Sequence, residues 1–451
     1  MGAKRDEVDG VPGGRGCPVS RRAALGAGLF AMPGLLLCRQ RAARGAVPEA
    51  KARAVIQIWM WGGPAHLDTF DPKPAAGGEY CGPLDKPIAT TLPGVRIGEL
   101  LPQLAAQTDK YSIIRSMTHG VNGHETASYM VQTGRQSGDR LVYPSAGAVV
   151  SLFHGYDAGY EGLIPPYIVL TEPQGRFSEA GFLGSRYRPF ATGGDPGQRR
   201  FLVEGIVAEG ISDDRQRRRR QLLHDLNTLG HALPGAPPLQ VLQETEAQAY
   251  DLILGEGARV FDLSEEADDL RDRYGRNTFG QSCLMARRLV EQGVRFITIN
   301  YKGWDTHKQH FQTVRRRLPE MDRGMATLLQ DLCDRGLLDS TIVWWSGEFG
   351  RTPRVDWQPP WNGGRHHHGR VFSAVVAGGG FRGGCVIGAS DAKGEAVEDR
   401  PVYPWDLIGS MYQLLGIDPD ALLPHPEGLA VRVTPSAADG VRSGGWLTEI
   451  M

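Results

Sequence analysis

The 451-residue chain carries almost no net charge, with 50 Lys and Arg against 51 Asp and Glu. That balance excludes a global field drawing it to nucleic acid or to an anionic membrane, so any anion recognition has to be local. A membrane span needs roughly 20 consecutive apolar residues. The apolar stretch Ala23–Leu37 falls short of that, and no stable span is expected. Cysteine is scarce, six in all, with no C-x-x-C pair, and no internal repeat of fixed period is present. Cys17 and Cys38 lie near the N-terminus. Of the other four, Cys283 and Cys333 fall on apolar helical stripes and are expected as buried free thiols. What the chain does have is 41% hydrophobic residues, enough for an ordinary core, and 60 Gly with 30 Pro, which imply long, turn-rich connections around a regular scaffold.

The N-terminus reads as an address. Ser20-Arg21-Arg22 leads directly into the short apolar stretch, a twin-arginine pattern with its hydrophobic segment. Residues 1–46 are therefore expected to be a leader, and the mature protein to be periplasmic or extracellular. Leu37 is large for the position before a lipidated cysteine, which argues against an anchor at Cys38.

Residues 52–451 read as one α/β domain, a mostly parallel central sheet flanked by helices. The continuous apolar run Ala54–Trp61 ends abruptly in Gly62-Gly63-Pro64, as a buried strand feeding a loop does. Further strands are expected at YSIIRSM, IPPYIVL, Val294–Tyr301, Thr341–Ser346 and Val371–Ala377. Helical stripes alternate with them: Phe279, Cys283, Ala286 and Val290; then Met321, Met325, Leu328 and Leu332; then Trp405–Leu415. A Gly/Pro/Arg-rich insertion occupies about 155–235, and its run Arg217–Arg220 follows an N-cap signal, as on a solvated helix.

In open α/β sheets the working loops leave the carboxyl ends of the strands. Three strands here run straight into polar loops, carrying His66 and Asp68, then Asp305 and His307, then Glu348 and Arg351. Downstream lies Arg365-His366-His367-His368. Asp305 and His307 are two apart, so an extended backbone puts both on one side, where carboxylate and imidazole together suit Zn²⁺ or Mn²⁺ better than Mg²⁺ or Ca²⁺. Of the three consecutive histidines at most one or two can face the same ion. An ion pair of Glu348 with Arg351 or Arg354 is the plainer reading of that carboxylate. Thr118–Thr126 brings two histidines and Glu125 ahead of Thr133-Gly134, as a metal segment or as a capped helix start.

Taken together, GGPAHLDTFDPKP (62–74), GELLPQLA (98–105), IRSMTHG (114–120), RDRYGRNTFGQSCLMARRLVEQGVRF (271–296), GWDTH (303–307), GEFGRTPRV (347–355), FSAVVAGGGFRGG (372–384) and IGASDAKG (387–394) resemble the exported domain-of-unknown-function 1501 family, which is related to the alkaline phosphatase and sulfatase superfamily. The resemblance covers nearly the whole mature chain. It implies an alkaline-phosphatase-like or sulfatase-like fold with a divalent-metal site of unspecified ion number at the strand ends. First ligands would be Asp305, His307, Glu348 and His367, with Asp68 or His66 as a fifth. It implies an anionic ester as substrate, a sulfated or phosphorylated carbohydrate among the candidates, with Arg351 and Arg365 on its oxygens. The superfamily nucleophile lies nine residues before the Thr of a Thr-Gly pair. Counting back from Thr133 reaches His124, which has neither hydroxyl nor thiol, and Thr126 is the nearest hydroxyl. Gly62 and Gly63 stand where relatives place an Asp, and Glu348-Phe349-Gly350 stands where they show Asp-His-Gly. The resemblance thus implies a metal-dependent phosphate- or sulfate-ester hydrolase, or alternatively a non-catalytic binding or assembly module that keeps the fold.

Overall fold

Eight strands make one sheet: β1 (Ala54–Trp59), β2 (Tyr111–Met117), β3 (Tyr167–Leu170), β4 (Phe190–Ala191), β5 (Phe296–Asn300), β6 (Thr341–Ser346), β7 (Phe372–Ala377) and β8 (Val386–Ile387). Their order is β8-β2-β7-β6-β1-β5-β3-β4. Only β7 runs against the rest, antiparallel to both β2 and β6. The central strand β1 lies parallel to β5 and β6, with Ile56 opposite Ile297 and Val343. The computed structural model describes residues 48–138, 140–172, 179–199, 201–203, 213–226, 256–436 and 439–451. Residues 1–46, where a leader is expected, lie outside these, as does part of the insertion. Val47–Met451 forms one compact unit.

Both faces of the sheet are covered, which is why its inner strands are buried along their length and mostly apolar rather than alternating. Ile56, Ile58, Ile297, Ile299, Val343 and Trp345 pack on one side against α3 (Thr278–Glu291) and α4 (His310–Asp334). Val55, Trp59, Phe296, Ile342 and Trp344 face the other way, against α2 (Ala146–His154) and α5 (Pro404–Leu414). Burying each such side chain is worth about 1.5–3 kcal/mol, so the two-sided run specifies the centre of the sheet. Local signals set the helix ends. The Asn277 side chain accepts from the amide of Gly280 at 2.9 Å and starts α3, and Ser145 does the same for α2 through Ala148.

The helix Asp213–Leu226 carries exposed Arg217, Arg218 and Arg219, as a solvated helix should. One expectation is corrected. Cys333 is an exposed thiol, because it sits on the outward side of α4, whereas Cys283 is buried as expected. Among the described residues no helix is long and apolar enough to cross a membrane.

Candidate metal centre

The topology brings five segments to one edge of the sheet. Parallel strands β1, β5 and β6 deliver residues 60–71, 301–309 and 347–353 from their carboxyl ends. Strand β2 leads to α1 (His124–Thr133), and β7, being antiparallel, brings its preceding residues 365–371 to the same edge. Gly62 and Gly63 end β1 with φ of +110° and +77°. A Cβ on Gly62 would come within 2.2 Å of the Asp305 amide nitrogen, so no side chain fits at this position. The Gly62 amide instead donates to both carboxylate oxygens of the fully buried Glu348, at 2.9 and 3.1 Å.

Around Asp305 the ring nitrogens fall into a definite pattern. His367 Nδ1 lies 2.7 Å from the Asn122 carbonyl, which can only accept, so His367 donates from Nδ1 and its neutral ring leaves Nε2 bare. His124 Nδ1 lies 2.6 Å from Glu348 Oε1 and is likewise the donor, with Nε2 turned to Asp305 Oδ2 at 3.4 Å. His366 donates from Nε2 to Asp356 at 3.1 Å. Its Nδ1 therefore accepts from His307 Nδ1 at 2.9 Å, which leaves His307 Nε2 bare. That nitrogen is 2.8 Å from His367 Nε2 and 3.1 Å from Asp305 Oδ1, and His367 Nε2 is 3.2 Å from the same oxygen. Two bare ring nitrogens, of His307 and His367, thus converge with the His124 Nε2–H on the Asp305 carboxylate, and only a proton or a cation between the two bare nitrogens reconciles their 2.8 Å contact.

The donor set fits a transition ion. One ligand atom each from His124, Asp305 and His367 lies within 4.8 Å of the others, slightly more than two ligand bonds of about 2.0–2.2 Å can span, so the side chains would draw in a little around an ion. His307 touches two of the three. Glu348 behind His124, the Asn122 carbonyl behind His367 and His366 behind His307 are the partners that fix a ligating imidazole's tautomer. The Asp305 side chain is 44% exposed, so the centre opens to solvent.

Charge is shared tightly in the metal-free arrangement. Burial alone would raise the Asp305 pKa, but the hydrogen bond from His124 and the buried Arg351 guanidinium at 2.6 Å hold it well below the usual carboxylate range. Hydrogen bonds to Asp305 and then Glu348 raise His124 to about 9 against the pull of partial burial. Burial lowers the pKa of His307 and His367.

Several residues expected at the site are placed elsewhere. Asp68 is buried in an ion pair with Arg365 and a hydrogen bond with His310. His66 is buried with Nε2 donating to the Gly394 carbonyl at 2.8 Å. Neither belongs to the converging group. Arg351 and Arg365 are fully buried, so neither is free to grip a substrate oxyanion. Arg351 is spent on Asp305 and the carbonyls of Gly62, Gly63 and Arg365, and Arg365 on Asp68 and the carbonyls of Tyr80, Thr352 and Pro353. Arg354 pairs with Glu79 rather than Glu348, and His124 takes the place of an arginine beside Glu348. Thr126 lies two residues beyond His124 on α1, about 200° round the helix. It lines a separate cavity of about 200 Å³ with Glu125 and Tyr129.

Of the three histidines 366–368, only His367 joins the group. His368 turns to the Glu395 carbonyl, as alternation along the two-residue ribbon Gly350–Arg351 with His367–His368 requires. Sequence reasoning missed His310 and the role of His119, whose Nε2 donates to the Glu348 carbonyl at 2.6 Å. The spacing H-x-x-H from 307 to 310 was the available signal for the first.

This is, then, an α/β protein with a mostly parallel sheet and a candidate histidine–aspartate metal centre at its carboxyl edge. Over residues 52–443 the sequence matches the family described as "Protein of unknown function (DUF1501)", and the chain belongs to that family. No curated protein matches it. Among solved structures, the lipoteichoic acid synthase LtaP from Listeria monocytogenes is similar at 9% identity and TM-score 0.40, over 86% of this chain and 75% of that one. A protein in the alkaline phosphatase superfamily from Vibrio parahaemolyticus is similar at 11% and 0.38, over 82% and 67%. The C-terminal periplasmic domain of EcEptC from Escherichia coli, in complex with Zn, is similar at 10% and 0.36, over 85% and 89%. At these values the likeness says nothing of chemistry.

Proposed function

We propose that this protein is a divalent-metal-dependent hydrolase of phosphate or sulfate esters, working in the periplasm or outside the cell after twin-arginine export. The observation that carries the reading is the convergence of three imidazole rings on Asp305, two of them through bare nitrogens. His124, Asp305, His307 and His367 would hold the ion, and an imidazole-rich set favours Zn²⁺ or Mn²⁺ over Mg²⁺ or Ca²⁺. A divalent ion bound there supplies Lewis acidity to an ester oxygen and lowers the pKa of water towards neutrality.

The chain's own residues prepare that centre. Glu348 accepts from His124 Nδ1 and so directs Nε2 to Asp305, where a bound ion would take the place of its proton, and Arg351 pins Asp305. Helix α1 begins at His124, and its N-cap Gly123 offers no side chain, so first-turn amides beside the cluster favour an anionic group. None of the converging side chains is a hydroxyl or a thiol, which supports direct attack by water over a covalent intermediate. Next to the centre, across His366, lies a cleft of about 480 Å³ lined by Glu79, Arg354, Asp356, Trp357 and Gln358. One face of Trp357 stacks on Phe311, ring centres 5.7 Å apart, while half of the residue stays exposed. An aromatic floor rimmed by carboxylates and an amide suits the ring and hydroxyls of a sugar carrying the ester.

The absence of a hydroxyl or thiol among the converging side chains equally favours a second reading, a metal-holding binding module without turnover. Metal analysis of the purified protein and a panel of phosphate and sulfate esters separate the two. Asp305→Ala should lower zinc affinity by more than about 100-fold, beyond the range seen for outer-shell partners. A parent protein without bound transition metal would sink both readings, and metal without turnover would leave the module. The export part rests on Arg21 and Arg22. Replacing both by Lys should hold the protein in the cytoplasm, and efficient export of that variant would remove it.

A further inference from the structure

Thr306 lies between Asp305 and His307 in the chain, yet its side chain turns into the protein and is buried. Its hydroxyl is 2.6 Å from His310 Nδ1, and His310 Nε2 is 2.8 Å from Asp68 Oδ2. A carboxylate accepts, so His310 donates from Nε2 and its bare Nδ1 receives the Thr306 hydroxyl proton. Asp68 is gripped from its other side by Arg365, whose Nε is 2.9 Å from Oδ2 and Nη2 3.3 Å from Oδ1. The backbone closes the circuit, since the Arg365 amide donates to the Thr306 carbonyl at 3.1 Å. Next to it, a Cβ on Gly364 would meet the His307 carbonyl oxygen at 1.8 Å, so the two segments are in direct backbone contact.

Stability alone does not explain this arrangement. Taking an Asp, an Arg and a His out of water is expensive, and apolar residues of the same volume often give equal or greater stability. What apolar packing does not supply is direction. A hydroxyl held by one ring nitrogen has one rotamer, and that rotamer fixes the backbone on both sides of it. The flanking residues are two of the four converging side chains.

We propose that Thr306, His310, Asp68 and Arg365 form a positioning relay that sets the placement of Asp305 and His307 towards the ion. The proposal rests on the metal reading above for its purpose, while the relay itself is independent of whether esters are turned over. The experiment compares Thr306→Val, which keeps the shape and removes the hydroxyl, with Thr306→Ser, which keeps the hydroxyl. Zinc affinity is read by competition with a chromophoric chelator, alongside amide hydrogen exchange across 303–307 in the metal-free protein. Thr306→Val should lose zinc affinity by about 10- to 100-fold, as for other outer-shell partners, and its loop should exchange faster. Thr306→Ser should stay close to the parent in both. Zinc affinity unchanged in Thr306→Val, or a loss that Thr306→Ser shares, overturns the relay. If the parent binds no zinc, the metal reading fails by itself, and the relay then stands or falls on whether loop exchange differs between parent and Val variant. Should the Val protein not fold, Thr306→Ala carries the same comparison.

Discussion

Asp305 and Asp68 are the same side chain in opposite circumstances. Both carboxylates are held below their ordinary pKa. Burial pushes each upward, and cationic or hydrogen-bonding partners outweigh it, His124 and Arg351 for Asp305, Arg365 and His310 for Asp68. They differ in what faces them. The groups around Asp68 present N–H bonds, so its oxygens are saturated in a pocket that solvent does not reach. Those around Asp305 include ring nitrogens whose protons point away, at a site open to solvent. The balance of donors and acceptors, rather than the kinds of residue, separates a structural carboxylate from one suited to a cation.

The sharpest way to break that comparison is to remove Asp68. Asp68→Ala would leave the Arg365 guanidinium buried without its counter-charge, at a cost of about 3–5 kcal/mol. Denaturant unfolding of the metal-free protein measures it. A variant as stable as the parent but unable to bind zinc would instead put Asp68 among the ligands.

A smaller effect should appear on acidification. His66 is fully buried, and burial lowers its pKa from 6.5 to about 4. Its folded pKa lies below the unfolded one, so between these values the unfolded chain binds the extra proton. The contribution is fully present above pH 6.5 and is lost as pH falls towards 4, with the loss at about 2 kcal/mol by pH 5. His66→Gln should flatten that part of the stability–pH curve, and parallel curves for the two proteins would remove His66 from the account.

The smallest effect is expected at Thr126, partly exposed and turned away from the centre. Thr126→Ala should change stability by no more than about 0.5 kcal/mol and leave zinc affinity alone. A clear loss of zinc would show that its hydroxyl reaches the site.

Much of the scaffold was legible because local patterns set it. Thr341–Ser346 and the run Tyr111–Met117 are strands over the very residues expected, since short stretches rich in aromatic, β-branched and aliphatic residues suit a strand covered on both faces. The long stripe through Met321, Met325, Leu328 and Leu332 is the sheet-facing side of α4. The site was less legible. Asp68 reads as a ligand because it follows β1 closely, yet the chain turns there, with the Gly98 amide donating to the Thr69 carbonyl at 2.6 Å, and carries it inward to Arg365. His310 escaped notice as the first residue of a helix.

The sequence by itself determined the family, the order of strands and helices, and which loops hold acidic and imidazole groups, because apolar periodicity and turn residues act over a few positions. Which of those groups meet was decided by the tertiary structure alone. Glu348 could pair with an arginine or a histidine, and Gly62 with its missing Cβ admits the Asp305 loop so close that His124, reaching over from α1, becomes the partner. Which ring nitrogen faces the centre is defined by what the other nitrogen touches, and for His124, His307 and His367 those contacts come from residues 224, 59 and 245 positions away in the chain.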